Sequence, residues 1–112
     1  MQTAVAKIID DLRQSGALSG VDVANVTDVS KATVSRWSMG KADPHPRAQL
    51  VLSDLRYVVM RLSEFYSPEE TRVWLYARND LLNGHRAIDL IHNAKTEEVL
   101  VAIERLAGLA YL

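Results

Sequence analysis

The chain has 112 residues, 48% of them apolar, with 13 Lys/Arg against 14 Asp/Glu and no cysteine. That length gives one domain, or two very small ones, around one modest core, and the absence of cysteine excludes a disulfide framework and a thiolate metal site. A net charge of −1 argues against strong, salt-driven nucleic-acid binding by a monomer; no signal-peptide pattern or membrane-length apolar run is present, so a cytoplasmic location is expected.

In chain order, nearly every segment carries helical period. Thr3 caps a first helix with Val5, Ile8, Ile9 and Leu12 on one face, ended by Gly16. Ser19 opens a shorter helix that turns Val23, Ala24 and Thr27 inward. Ser30 opens a third, with Val34 and Trp37 inward, ending at Gly40. Pro44 and Pro46 make residues 41–47 a connector. The longest helical pattern covers residues 48–66. Leu52, Leu55, Val59, Leu62 and Tyr66 form one face, Val51, Val58 and Phe65 widen it, and Tyr57 and Met60 extend it. So wide an arc needs cover on two sides. It is either the centre of a monomeric bundle or, in part, a homodimer interface.

Ser67-Pro68-Glu69-Glu70 restarts a helix, with serine as cap, proline at the first helical position and a glutamate reaching back. Thr96-Glu97-Glu98 begins the last helix with both acids at its positive end, and Val99, Ile103 and Leu106 form its inner stripe. No strand alternation, repeat or low-complexity tract stands out. The expected fold class is all-α.

Charge is unevenly spread. Residues 1–47 hold six Lys/Arg against five Asp/Glu, whereas residues 48–112 hold seven against nine. Within residues 29–47, Lys31, Arg36, Lys41 and Arg47 face only Asp43, which allows a local basic face. Residues 23–37 fit a helix-turn-helix. Ala24 is the small residue where two helices cross, and Val29, Val34 and Trp37 lock the second helix on the first. Asp28 takes the turn position usually held by glycine; aspartate tolerates positive φ better than most residues. The second helix presents Ser30, Lys31, Thr33, Ser35 and Arg36 as candidate DNA contacts, a mix of phosphate and base-edge donors. The plainer reading is three packed helices with ordinary surface polars.

Catalysis finds little support. His45, His85 and His92 are the only histidines, and no two stand three or four residues apart as metal ligands on a helix do. Asp89 and His92 are three apart, a spacing that more often marks surface capping than a site. There is no phosphate-binding glycine loop and no nucleophile elbow. No enzyme activity and no cofactor are expected.

Residues 73–91 carry the most specific signal. An apolar helical pattern stops at Leu81-Leu82-Asn83-Gly84 and restarts at Ile88-Asp89-Leu90-Ile91. This resembles the toxin-binding domain of Xre/MbcA/ParS-type bacterial antitoxins, whose members carry an N-x-L-L-x-G-x-x-P-x-D-L-[IL] core. The sequence departs from it at Ala87, usually proline, and at Asp80, often proline. The helix-turn-helix resembles the Xre-type motif of the same family. The resemblance implies residues 1–47 as a DNA-binding-like domain, and residues 48–112 as a dimerisation helix with a toxin-binding domain.

It also implies a RES-domain toxin that degrades NAD as partner, a homodimer, and operator DNA bound to autoregulate the operon. The toxin contacts would be Leu82, Asn83, Gly84, Asp89, Leu109, Tyr111 and Leu112, with the tail entering the NAD cleft. No membrane partner is implied. The alternative is a stand-alone helix-turn-helix repressor whose C-terminal helices dimerise or sense a ligand. The apolar run Gly108-Leu109-Ala110-Tyr111-Leu112 argues for the antitoxin, because exposed apolar ends bury against something.

Overall fold

The computed structural model describes residues 2–110, with seven α-helices among them. The caps read from the sequence are formed. The Thr3 side chain accepts from the Ala6 N–H and starts α1 (Ala4–Gly16). Ser19 and Asp22 make a reciprocal capping box for α2 (Gly20–Thr27). Ser30 caps α3 (Lys31–Ser38), and Ser67 with Glu70 boxes the start of α5 (Pro68–Tyr76). Each cap occupies one of the orphan N–H groups at a helix start.

The longest helix, α4 (Pro46–Leu62), begins earlier and ends sooner than its apolar pattern suggests. Pro46 sits at the first helical position, where its missing N–H costs nothing, and the His45 ring nitrogen accepts from the Ala48 N–H. At the other end, Ser67 precedes Pro68 and takes extended backbone, so the helix stops short of it. Gly16 lets α1 lie tight on α4: a Cβ there would stand 3.2 Å from both Val59 methyls.

After Tyr76 the chain leaves the helix, because Ala77 is extended. A small antiparallel ladder follows, β1 (Arg78–Asn79) on β2 (His85–Arg86), pairing Arg78 with Arg86 and Asn79 with His85. Between them lies a 3₁₀ turn, Asp80–Leu82. Strands of two residues are too short to show alternation. Then come α6 (Ala87–His92) and α7 (Thr96–Ala110). Ala87 is the first residue of α6, a position where alanine and proline are both compatible with the backbone.

One apolar core runs from Val5 to Ile103, and α4 packs against α1, α2, α6 and α7. The core therefore continues across residue 47. Val51, Leu52, Leu55, Val58, Val59 and Leu62 are all buried within one chain. Val58, one of the residues that widen the arc, is 0% exposed, so this part of the arc belongs to the core of one chain and is not an outward face for a dimer. The wide arc is what a central helix requires. Only Leu50, Tyr57 and Met60 leave large apolar surface exposed on α4. Among the described residues, no helix is long and apolar enough to cross a membrane.

Candidate functional site

Two surfaces emerge. The first is the helix pair α2–α3. Asp28 takes the left-handed conformation expected of the turn, at φ 59°. Ala24, Val34 and Trp37 are buried at the crossing, while Ser30, Lys31, Ser35 and Arg36 are exposed on α3. Thr33 is half-buried, and its hydroxyl accepts from Arg36 at 3.0 Å. The turn is clasped from behind. Asp28 meets Arg47 at 3.3 Å and the His92 Nε2 at 2.9 Å, and Arg47 also donates to the His92 carbonyl at 2.9 Å. The hydrogen bond from His92 holds Asp28 below the usual carboxylate range. His92 thus faces α2 rather than Asp89, the neighbour its spacing suggested.

The second surface is the turn between β1 and β2 with the outer side of α7. Asn83 at φ 55° and Gly84 at φ 82° close the turn, both left-handed, which asparagine and glycine accept most readily. The Gly84 N–H donates to the Asn79 carbonyl at 2.9 Å, and the Asn79 side chain accepts from the Leu81 N–H at 2.9 Å. Leu82 is only 3% exposed. It anchors the turn in the core, which corrects its place as a surface contact. Asn83 and Leu81 line a groove with Glu98, Val101, Ala102 and Arg105 of α7. Leu109 lies one turn beyond Arg105 on that ridge and is 62% exposed. From Glu104 to Leu109 no described residue is buried, so the end of α7 stands clear of the core. Tyr111 and Leu112 lie outside the described residues.

Asp89 sits elsewhere. Arg86 grips it with two hydrogen bonds of 2.8 Å, and it lines a separate groove with Asn25, Val26, Tyr76, Ile88 and His92. The structure therefore sets Asn83 in a groove with the α7 ridge on which Leu109 lies further along, and places Asp89 on the side facing α2.

Sequence reading missed the residue that joins these parts. Asp22 of α2 is 7% exposed and accepts from the Ser19 N–H at 2.7 Å, from Arg72, and from the Tyr76 hydroxyl at 2.7 Å. Two guanidiniums lie over the Tyr76 ring, Arg72 at 4.8 Å and Arg86 at 5.5 Å from its centre. Burial pushes the Asp22 carboxyl up, but the bonds from Arg72, Tyr76 and Ser19 outweigh it and hold the group at about 2. Burial and the hydrogen bond to Asp22 push the Tyr76 phenol up to about 12. The Ser19-x-x-Asp22 spacing announces a capping box; nothing local announces partners on α5.

A pH dependence follows from Asp22. Its folded pKa lies below its ordinary value of 3.8, so its contribution is complete above that value. It is lost as pH falls from about 4 through about 2, and amounts to about 2 kcal/mol. Urea unfolding across that range should show a steep acid limb in the wild type and a flatter one in Asp22→Asn. Identical limbs would mean that the network gives no net stability.

No protein-family model matches the sequence. The chain is 36% identical over 107 residues, 96% of its length and 90% of the relative's, to a Mycobacterium tuberculosis protein named "Probable mycobacterial cidal antitoxin Rv3188". It is 29% identical over 86 residues, 77% of its length and 76% of the relative's, to the mycobacterial cidal antitoxin MbcA of Mycobacterium bovis. Its fold superposes with TM-score 0.84 on a chain from the crystal structure of the Mycobacterium tuberculosis MbcT–MbcA toxin–antitoxin complex, at 24% identity and covering 98% of this chain and 99% of that one. With a third of its residues shared along almost its whole length, and this fold beneath them, the chain belongs to the MbcA-type mycobacterial cidal antitoxins.

Proposed function

We propose that this antitoxin silences a RES-domain toxin by closing its NAD-binding cleft. Docking runs through the Asn83-Gly84 turn and the α7 ridge, and the segment containing Leu109, Tyr111 and Leu112 enters the cleft. One observation supports this most: the last turns of α7 carry apolar surface at Leu109 with no core beneath it. Tyr111 offers a flat ring and a hydroxyl suited to a pocket built for a nicotinamide. Leu82 holds the turn from inside, and Asp89 with Arg86 shapes its return strand. Family membership favours this reading over a stand-alone repressor. A toxin that acts on NAD and an operator as second ligand favour the cytoplasm as its location. Co-expression with the product of the adjoining gene, affinity capture and an NAD-consumption assay form the test. Capture with loss of NAD consumption supports the reading; no capture refutes it.

DNA binding is the second part of the proposal, with residues 1–47 as the reader and the complex as autoregulator. Lys31 and Arg36 are the positive charges of α3, and both are exposed. Arg36→Ala should weaken operator binding by about 1–3 kcal/mol without loss of fold. Anisotropy titration of the promoter fragment, with and without toxin, measures it. Unchanged binding by the Lys31→Ala/Arg36→Ala double variant rules this face out.

A homodimer would set two such faces on a palindrome. With Val58 in the core, the residues left for it on α4 are Leu50, Tyr57 and Met60. Tyr57→Arg should keep the fold and shift the mass in light scattering from dimer to monomer. A wild type that is monomeric at high micromolar concentration removes the dimer.

A further inference from the structure

We propose that Asp22, on the DNA-binding-like half of the chain, is a positioning residue for toxin capture, acting through Tyr76 and Arg86 to set the Asn83-Gly84 turn. This deepens the docking reading above and rests on it.

Leu82 pins the middle of the turn to the core, and the two strands of the turn are rooted at Tyr76 and Arg86. Its outgoing strand leaves directly from Tyr76, the last residue of α5, after the single extended residue Ala77. Its returning strand ends at Arg86, whose guanidinium lies over the same Tyr76 ring and grips Asp89 on α6. Tyr76 is thus the root of both strands. What fixes Tyr76 is Asp22, directly by accepting from the Tyr76 hydroxyl and indirectly through Arg72, which binds Asp22 and also lies over the Tyr76 ring. Asp22 itself is held in α2 by the Ser19 N–H. A buried carboxylate with its acceptor sites filled is a stiff joint, because letting go of any partner strands a charge in a poorly solvated place. The ladder between the strands is only two residues long and cannot fix its own direction. Removing Asp22 therefore frees the base of the turn while the apolar core around α4 remains.

The experiment compares Asp22→Ala, Tyr76→Phe and their double variant with the wild type, each first checked for a folded far-UV spectrum. The probe is the co-expressed toxin from the adjoining gene, and Leu109→Glu is the docking control. Tyr76→Phe, which loses one hydrogen bond to a charged group, should bind the toxin about tenfold more weakly, and Asp22→Ala, which also releases Arg72 and the Ser19 N–H, should lose at least as much. The double variant should be no worse than the weaker single one, because both break the same link. Amide exchange should quicken over residues 78–89 and stay slow in α1 and α4. The phenol titration of Tyr76 should drop from about 12 toward the ordinary tyrosine value in Asp22→Ala. Should Asp22→Ala fail to fold, Tyr76→Phe, which keeps the ring beneath both guanidiniums, carries the test. Full toxin affinity in folded variants, with Leu109→Glu impaired, overturns the proposal and leaves docking intact. Exchange quickened throughout the chain also overturns it, since Asp22 is then a general brace. If Leu109→Glu binds as tightly as wild type, the docking reading falls and this proposal with it.

Discussion

Val58→Glu is expected to unfold the chain rather than dissociate an assembly. The side chain is fully buried in a single protomer, on the helix that four others pack against. Val51, Leu55, Val59 and Leu62 fill the same helix's buried arc and offer no cation or donor. A carboxylate forced there must stay charged without a partner or take up a proton, and either course costs several kcal/mol. The valine's own packing is lost as well, about 1–3 kcal/mol. A domain of this size has a total stability of about 5–15 kcal/mol, so the sum reaches the whole of it. Far-UV circular dichroism and a thermal melt decide the matter. A variant with native ellipticity and an unshifted melting temperature would show that α4 exposes this face after all. Tyr57→Arg, one residue away and half exposed, is the matched control and should keep native far-UV ellipticity.

The contrast between those neighbours shows where sequence reading stopped. Period along the chain tells how wide the apolar arc of α4 is, and seven residues of that helix are buried. It does not tell whether other helices of the same chain or a second copy provides the cover. Only the contacts to α1, α2, α6 and α7 decide that. Caps were legible because they act within four residues: Thr3, Ser19, Ser30 and Ser67 each bond a backbone N–H three residues on. Asp28 was legible for the same reason, since a turn between two helices needs positive φ at one residue.

The Asn83-Gly84 turn could be placed by its residue types, but not the inward direction of Leu82 beside it. Asp22 was hidden altogether. Its partners Arg72 and Tyr76 lie 50 and 54 residues away, and an aspartate at the third position of a helix already has a local explanation.

Leu109→Glu should have the opposite profile to Val58→Glu: no effect on the free chain and loss of the toxin. Leu109 is 62% exposed on the part of α7 that stands clear of the core. A charge there meets water, and surface changes of this kind stay within about 0.5 kcal/mol. In the proposed complex the same position closes against the toxin, and a few apolar anchors of that sort carry most of an interface's energy. Burying an unpaired carboxylate among them costs several kcal/mol, which corresponds to at least about a hundredfold in affinity. Removing residues 111 and 112 should act differently. The ridge of Val101, Arg105 and Leu109 survives, so the toxin is still captured, but its cleft is left open. Calorimetry gives the affinity of each variant, and NAD consumption with antitoxin in excess gives the inhibition. Leu109→Glu should fail both, whereas the shortened chain should fail the second far more than the first. If the shortened chain still inhibits fully, the cleft is blocked by the turn or by α7 itself. If Leu109→Glu binds normally, the α7 ridge is no part of the interface.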